Sequence, residues 1–412
     1  MAHKPMSNFS AATPVVVFRA ESYCSLAIVR TLGRMGVQVF CIDHEPDALA
    51  MKSRYCAGRF AWDFESSPPD DSAQFLIGVG RKIGQKSILL PTFDTRSLFV
   101  EQYRDLLSQW FLFPQPAPGA VPRLYSKESL YRLCKTEDVP TPETLFPDSV
   151  EEALREGPGL QFPLIVKAID PDRLMHRTGR RMAVVHQLSE LRDAYAELDE
   201  PGIKNLALQE FIPGDTQDTW MLNAYFDRVG DCRFAITGHK LRQLPIDGGV
   251  TTLGVCAPSQ AMIDSISRVV AATGYQGVVD TDFCYDNRDG LWKLLDVNPR
   301  IGATFRLFVD QHGFDVVRAL YLDLTGQSLP SVEPFWGRRW LVEDKDLDAM
   351  RAHRRKGSLS LGAWLGSLRG VSEFAHFAVD DLWPSAIFAM RLVRKNIRRV
   401  FGRLPLPSKQ NR

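Results

Sequence analysis

The sequence predicts an α/β unit followed by an α+β unit, in a chain too long for one compact core. Three observations predict it. Short apolar runs alternate with helix-like periodicity through the N-terminal part. A proline-rich break, Phe113-Pro114-Gln115-Pro116-Ala117-Pro118-Gly119, interrupts that alternation. Beyond it, strand-like stretches lead to a strong hairpin signal, Asp286-Asn287-Arg288-Asp289-Gly290. At 412 residues, such a chain divides into two or three subdomains.

Pro14-Val15-Val16-Val17-Phe18 is a continuous apolar run suited to a strand buried on both faces. Ala27, Ile28, Leu32 and Met35 recur at helical spacing, with Gly33 and Gly36 near the stop. Val37 to Asp43 reads as a second strand, and Ser87 to Leu90 as another, ended by Pro91. The helix after it has Asp94 in position to cap it. This alternation implies a parallel sheet with right-handed crossovers. The turn after the first strand, Arg19-Ala20-Glu21-Ser22-Tyr23, lacks G-x-G-x-x-G, which removes the main support for an NAD site.

After the break, Lys127 to Cys134 reads as a helix, stopped by Val139-Pro140-Thr141-Pro142. Phe162 to Ala168 is a strand, residues 170 to 182 a polar, basic loop, and Ala183 to His186 a strand. The helix Ser189 to Leu198 and the strand Ala207 to Phe211 follow. Strands near 219–227 and 232–239 precede the pair Gly248-Gly249. The helix Gln260 to Thr273 then leads into strands Gly277–Tyr285 and Leu291–Val297. Past 330 the pattern weakens.

Hydrophobic residues make up 45% and charged residues 24%, as in ordinary soluble proteins. A net charge of +1 gives no global pull toward nucleic acid or membrane. Cys24, Cys41, Cys56, Cys134, Cys232, Cys256 and Cys284 are scattered and form no C-x-x-C pair. That pattern argues against a disulfide framework or zinc site and for a reducing compartment. The N-terminus, MAHKPMSNFSAATP, has no apolar signal core. No stretch approaches about 18 uninterrupted apolar residues, the length that spans a bilayer. A cytoplasmic protein is expected.

Asp282 and Asp296 fall late in the two strands of the hairpin, and Asn298 leaves the same face as Asp296. Two carboxylates and an amide oxygen converging there suit Mg²⁺, a hard cation that prefers oxygen. Arg300 continues the alternation and can take a phosphate bidentately. The alternative is that exposed hairpin acids are merely solvated. Lys167, ending an apolar strand, can hold an oligophosphate as a point charge; Lys127 opens a helix. Either is also an ordinary solvated lysine. Arg173, His176, Arg177, Arg180 and Arg181 make the 170–182 loop a candidate phosphate cover, or a plain solvated loop. Gln209-Glu210-Phe211-Ile212-Pro213-Gly214 reads as a tight turn, or as a segment whose backbone holds an adenine edge and whose acid holds the ribose. Lys240 and Arg242 add cations just before Gly248-Gly249, where backbone can approach a ligand closely.

In this order, the residues resemble the ATP-grasp superfamily, from about Val15 to about Gln327. The most specific parts are Gly277-Val278-Val279-Asp280-Thr281-Asp282-Phe283 and Leu294-Leu295-Asp296-Val297-Asn298-Pro299-Arg300, which look like the paired metal strands. Within the superfamily the chain looks most like the carboxylate–amine ligase branch, including D-aspartate-ligase-like and carbamoyl-phosphate-synthase-like proteins. The support is Arg30-Thr31-Leu32-Gly33-Arg34-Met35-Gly36 and Lys240-Leu241-Arg242-Gln243-Leu244-Pro245. Many relatives carry Glu where Asp282 and Asp296 stand, one methylene longer. The resemblance implies a Rossmann-like domain at 1–119, a lid at 120–210, a C-terminal subdomain with the metal site at 211–330, and an extension at 331–412. It implies ATP and Mg²⁺, with Mn²⁺ as a substitute, and an acyl phosphate formed from a small-molecule carboxylate and captured by an amine. Asp282, Asp296 and Asn298 would hold the metal. Lys127, Lys167, Gln209, Glu210, Phe211, Ile212 and Asp218 would serve the nucleotide. Arg300, Arg242 and Lys240 would serve the phosphoryl group or substrate. A homodimer is among the expected assemblies, and no nucleic acid.

The main alternative is a nucleotide-binding regulatory or scaffold protein without turnover. From Trp383 to Phe401, Met390, Val393, Ile397, Val400 and Phe401 recur at helical spacing, accompanied by Arg391, Arg394, Lys395, Arg398, Arg399 and Arg403. Such a helix can lie in the interface of an anionic membrane, which would place the protein at the inner face. It can equally pack its stripe on the body of the protein.

Overall fold

Five short strands, β1 (Val15–Phe18), β2 (Val39–Asp43), β3 (Cys56–Ala61), β4 (Ser87–Pro91) and β5 (Phe111–Leu112), form an all-parallel sheet in the order β3-β2-β1-β4-β5. The central strand β1 is fully buried, as a parallel strand covered by helices on both faces must be. In the computed structural model, residues 9–180, 182–246 and 248–401 are described. The first helix, Tyr23–Gly33, is capped by Ser22, whose side chain accepts from Ser25 N–H. The turn before it is closed by Arg19 at φ 72°, a left-handed conformation unusual for a non-glycine residue. Asp94 does not cap its helix: Phe93 holds the cap position, and the Asp94 carboxylate is drawn instead to Arg300, 3.0 Å away.

A second, four-stranded antiparallel sheet follows the break. Its strands are β6 (Thr144–Leu145), β7 (Leu164–Ala168), β8 (Met182–Val185) and β9 (Leu206–Glu210), in the order β6-β9-β7-β8. The segment expected to be a loop at 170–182 contains the helix Pro171–Thr178 before β8. Arg173, in this helix, pairs with Glu200 at 2.6 Å, and Arg180, just after it, with Glu197 at 2.9 Å. Proline at the first helical position favours a helix where polarity alone suggests a loop. Arg181 lies outside the described residues.

The third sheet holds seven strands: β10 (Thr219–Phe226), β11 (Cys232–Leu244), β12 (Val250–Cys256), β13 (Gly277–Asp286), β14 (Leu291–Asn298), β15 (Arg339–Leu341) and β16 (Val371–Phe374). Their order is β14-β13-β10-β11-β12-β15-β16. The segment after 330, expected to be an extension, therefore adds two strands to the same sheet. Their shortness and polar composition hid them from periodicity. β11 is longer than the expected 232–239, and between Lys240 and Arg242 its register with β12 shifts, Lys240 facing Gly254 and Arg242 facing Leu253.

One core cluster joins the first helix of the parallel sheet to the helix Val316–Leu324 and to the underside of the seven-stranded sheet. The C-terminal helix, Leu382–Phe401, is seated on this cluster through Ile387 and Phe388. Among the described residues all seven cysteines are free, and no helix is long and apolar enough to cross a membrane.

Candidate active site

The hairpin β13–β14 sets the geometry. Asp282 stands directly opposite Asp296, and Asp280 directly opposite Asn298. With a side-chain period of two, all four leave one face of the sheet. Like charges directly opposite in an antiparallel pair repel, and here they are balanced from outside the hairpin. Lys240 Nζ, on β11, lies 3.3 Å from Asp282. Lys127 Nζ, at the start of the helix Lys127–Thr136, lies 3.8 Å from Asp296. The two carboxylates remain 38% and 34% exposed, so they are open to a ligand.

Lys167, on β7, completes the cationic side. Its ammonium donates to Gln209 Oε1 at 2.9 Å, and Gln209 is fixed in turn by Thr144 at 2.8 Å. Burial lowers its pKa to about 8, the nearby Lys127 adding to the shift and Asp296 opposing it. Lys127, Lys167 and Gln209 line a small cavity together with Tyr131, Phe146 and Leu294. Two lysines among aromatic and aliphatic walls are the chemistry that a nucleotide site uses.

Asp280 carried no assignment in the sequence, and the structure makes it the inner member of the acidic face. Its carboxylate accepts from Asn223 Nδ2 at 2.7 Å and lies 3.4 Å from Arg300. Burial raises its pKa to about 6, with Arg300 opposing and Asp282 adding to the shift. A Cβ on Gly302 would fall 2.1 Å from its carboxyl carbon, so only glycine permits this packing. The signal was available: Asp280 stands two residues before Asp282 and so shares its face.

The remaining expected residues divide. Arg300 stands between Asp280 and Asp94 and lines a larger cavity of about 470 Å³ at the ends of β1 and β4. Arg242 does not join Lys240. The bulge puts it out of phase, and its guanidinium is buried against Asp346 at 2.7 and 2.9 Å, with Ser367 at 3.1 Å. Reaching a substrate would break that buried pair. The Glu210 carboxylate is likewise paired, with Arg288 at 3.0 Å and Lys293 at 3.2 Å. Asp218 closes a capping box with Asp215. Phe211 and Ile212 are half-buried where β9 leaves its sheet, Phe211 N–H donating to Pro163 O at 3.0 Å.

Hard oxygen donors on an exposed face, next to two lysines, fit Mg²⁺. Asn298 Nδ2 donates to the Asp280 carbonyl, which aims its amide oxygen away from that bond. Among the described residues no group of three or more His, Cys, Asp or Glu is arranged to hold a metal alone. The donor set thus suits a cation that draws its other oxygens from substrate phosphate and water, as Mg²⁺ does.

No family model matches the chain. It is 28% identical over 262 residues to a D-aspartate ligase of Enterococcus faecium, covering 61% of this chain and 62% of that protein. It is 26% identical over 220 residues to the carbamoyl phosphate synthase large chain of Thermus thermophilus, covering 51% of this chain and 20% of that one. The chain thus spans less than two thirds of the length of either relative. In structure it superposes on a biotin carboxylase of Campylobacter jejuni, solved with βγ-ATP, at a TM-score of 0.62. That match has 16% identity and covers 80% of this chain and 75% of the other.

Proposed function

We propose, for a chain that belongs to the ATP-grasp superfamily and to its carboxylate–amine ligase branch, that it uses ATP to join a small carboxylic acid to an amine. The observation that carries this reading is the pair Asp282–Asp296, opposed in register and flanked by Lys240 and Lys127. In the proposed reaction a substrate carboxylate oxygen attacks the γ-phosphorus of ATP. The bond to the β–γ bridging oxygen breaks, and ADP leaves. The amine nitrogen then attacks the acyl carbon and inorganic phosphate departs, with one proton lost from nitrogen.

Asp282, Asp296 and Asn298 are the proposed holders of Mg²⁺, which when bound supplies charge neutralisation to the phosphates. Lys127 and Lys167 hold phosphate oxygens, and Gln209 orients Lys167. Lys240 keeps Asp282 in place and adds positive charge. Arg300 reaches from the acidic face into the larger cavity, where a substrate anion can meet it. Arg242, Glu210 and Asp218 support the frame rather than the ligands. Charge stabilisation and positioning account for this chemistry without a side-chain nucleophile. The basic C-terminal helix is proposed as a peripheral contact with an anionic membrane.

The test is a screen of acid–amine pairs with Mg²⁺ and ATP, following ADP and phosphate. Release that requires both an acid and an amine is expected. ATP binding with no release across the panel would return the chain to a scaffold role.

A further inference from the structure

The larger cavity that Arg300 lines is bounded on one side by the C-terminal helix. Phe388, Arg391, Leu392 and Lys395 line it from that helix, opposite Tyr23 and Phe93 at the ends of β1 and β4. Its charged walls hold four cations, Arg300, Lys345, Arg391 and Lys395, against two carboxylates, Glu21 and Asp344. Arg391 is tied to Glu21 at 2.7 Å and Lys395 to Asp348 at 3.2 Å. Lys345 is different. Its ammonium sits over the Tyr23 ring, 5.0 Å from the centroid, with no carboxylate within 4.0 Å among the described residues. The neighbouring Asp344 Oδ1 is buried without a hydrogen-bond partner. Leu49, Phe93, Val250, Phe388 and Leu392 add apolar wall, beside the polar Ser22, Thr92 and His376. A cavity with an unpaired ammonium and apolar wall beside it suits a ligand with an anionic head and an apolar body.

The opposite face of the same helix meets water with apolar side chains. Trp383, Met390, Val393 and Ile397 recur at helical spacing and are 61%, 49%, 57% and 49% exposed. Residues 382–412 carry eight Lys and Arg and no Asp or Glu; of these, Arg391, Arg394 and Lys395 have described side chains, while Arg398, Arg399 and Arg403, with Val400 and Phe401, lie outside them. An exposed apolar stripe within so one-sided a charge matches an anionic bilayer surface, with the stripe in the acyl boundary and the cations at the phosphates. The inner face cannot be the one that inserts, because Phe388 stacks on His376 at 3.7 Å.

We infer that this helix seats the protein on an anionic membrane and that the cavity behind it takes one of the two ligase substrates as an anionic amphiphile presented at that membrane. This rests on the ligase reading. Leu392 and Lys395 line the cavity while Val393 and Met390, within a turn, face outward, so one helix carries both the cavity wall and the membrane-facing stripe. Arg300 then links its anionic head to the acidic face, through Asp280 at 3.4 Å.

The experiment uses the full chain. Its probes are dodecyl phosphate below its micelle concentration, inorganic phosphate, dodecyl maltoside, and vesicles of phosphatidylcholine with or without phosphatidylglycerol. Saturable binding of dodecyl phosphate, at least about tenfold tighter than either soluble control, is expected. Lys345→Gln should weaken it at least about fivefold and leave vesicle co-sedimentation unchanged. Met390→Glu with Val393→Glu should abolish co-sedimentation with anionic vesicles and leave dodecyl phosphate binding unchanged. Circular dichroism of each variant confirms folding. Inorganic phosphate binding as tightly as dodecyl phosphate would overturn the amphiphile assignment. Loss of dodecyl phosphate binding in the outer-face variant would move its site out of the cavity and overturn it too. Equal binding of both vesicle types, or of neither, would overturn the membrane seat. Failure of the wild-type chain to bind ATP would instead sink the ligase reading, whatever the cavity binds.

Discussion

Two clusters of acids and cations sit at opposite ends of one hairpin, and they do opposite work. At the turn, Asp286 is buried and pairs with Arg288 and Lys293 at 2.7 Å each, while Glu210 reaches the same two cations at 3.0 and 3.2 Å. Every oxygen there is spoken for, and the cluster ties β9 to the hairpin. At the other end, Asp282 and Asp296 face each other with cations at 3.3 and 3.8 Å and a third of their surface open. Residue types do not distinguish the two. Saturation does: a closed cluster can only hold the chain together, and an open one can take a ligand.

Breaking the open cluster should cost the most. Asp296→Asn removes a proposed anionic metal ligand without changing shape, and ATP-dependent phosphate release should fall about 1,000-fold, roughly 4 kcal/mol of transition-state stabilisation. Nucleotide binding should persist, more weakly, in a fluorescence titration. Turnover close to wild type in saturating Mg²⁺ would erase the contrast between the clusters.

Breaking the closed cluster should cost stability instead. Asp286→Asn leaves Arg288 and Lys293 short of a buried partner, a loss of about 3 kcal/mol in denaturant unfolding. Turnover below the melting range should stay within about twofold. The acid dependence has the same root. Arg288, with Lys293, holds the Asp286 carboxyl well below the usual range against the pull of burial. A carboxyl with a depressed folded pKa adds stability above its unfolded pKa, near 3.9, and withdraws it as pH falls below that value. Asp286→Asn should therefore flatten the acid limb of the stability profile. An unchanged midpoint would show that the network at the turn is decorative.

Lys167→Ala tests the open cluster from its cationic side. It removes a proposed phosphate contact but none of the proposed metal ligands, so ATP should bind at least about tenfold more weakly, near 1.4 kcal/mol. An unchanged titration would place the lysine outside the site.

How much of this was legible depended on whether a local pattern or a partner set the role. The parallel sheet, the hairpin and its two aspartates follow from apolar runs, turn chemistry and a period of two. The pairings of Arg242 and Glu210 could not be read in this way. Asp346 and Lys293 arrive from 104 and 83 residues away in sequence, and no local signal announces them. A bulge between Lys240 and Arg242 inverts the face of one of two cations that spacing puts together. The strands β15 and β16 were missed because three- and four-residue strands carry too few positions for alternation to register. Asp280 is legible from the sequence, since it alternates with Asp282.

The finest test of the difference between the clusters is pH. Lys167 keeps its proton only to about pH 8, since burial strips water from the ammonium, against about 10.4 in an unfolded chain. The depressed value means the folded state sheds this proton first, so folding stability gains as pH rises between the two values. Ligand binding runs the other way. Bound polyphosphate favours the ammonium, so binding above pH 8 must recover a proton and weakens by up to about tenfold between pH 7 and pH 9. Calorimetry in buffers of different ionisation enthalpy should detect the proton taken up. Lys167→Arg keeps the charge at every pH in this window, so it should flatten the profile even where it lowers affinity. A slope that survives the arginine would assign the titration to another group and remove Lys167 from the phosphate contacts.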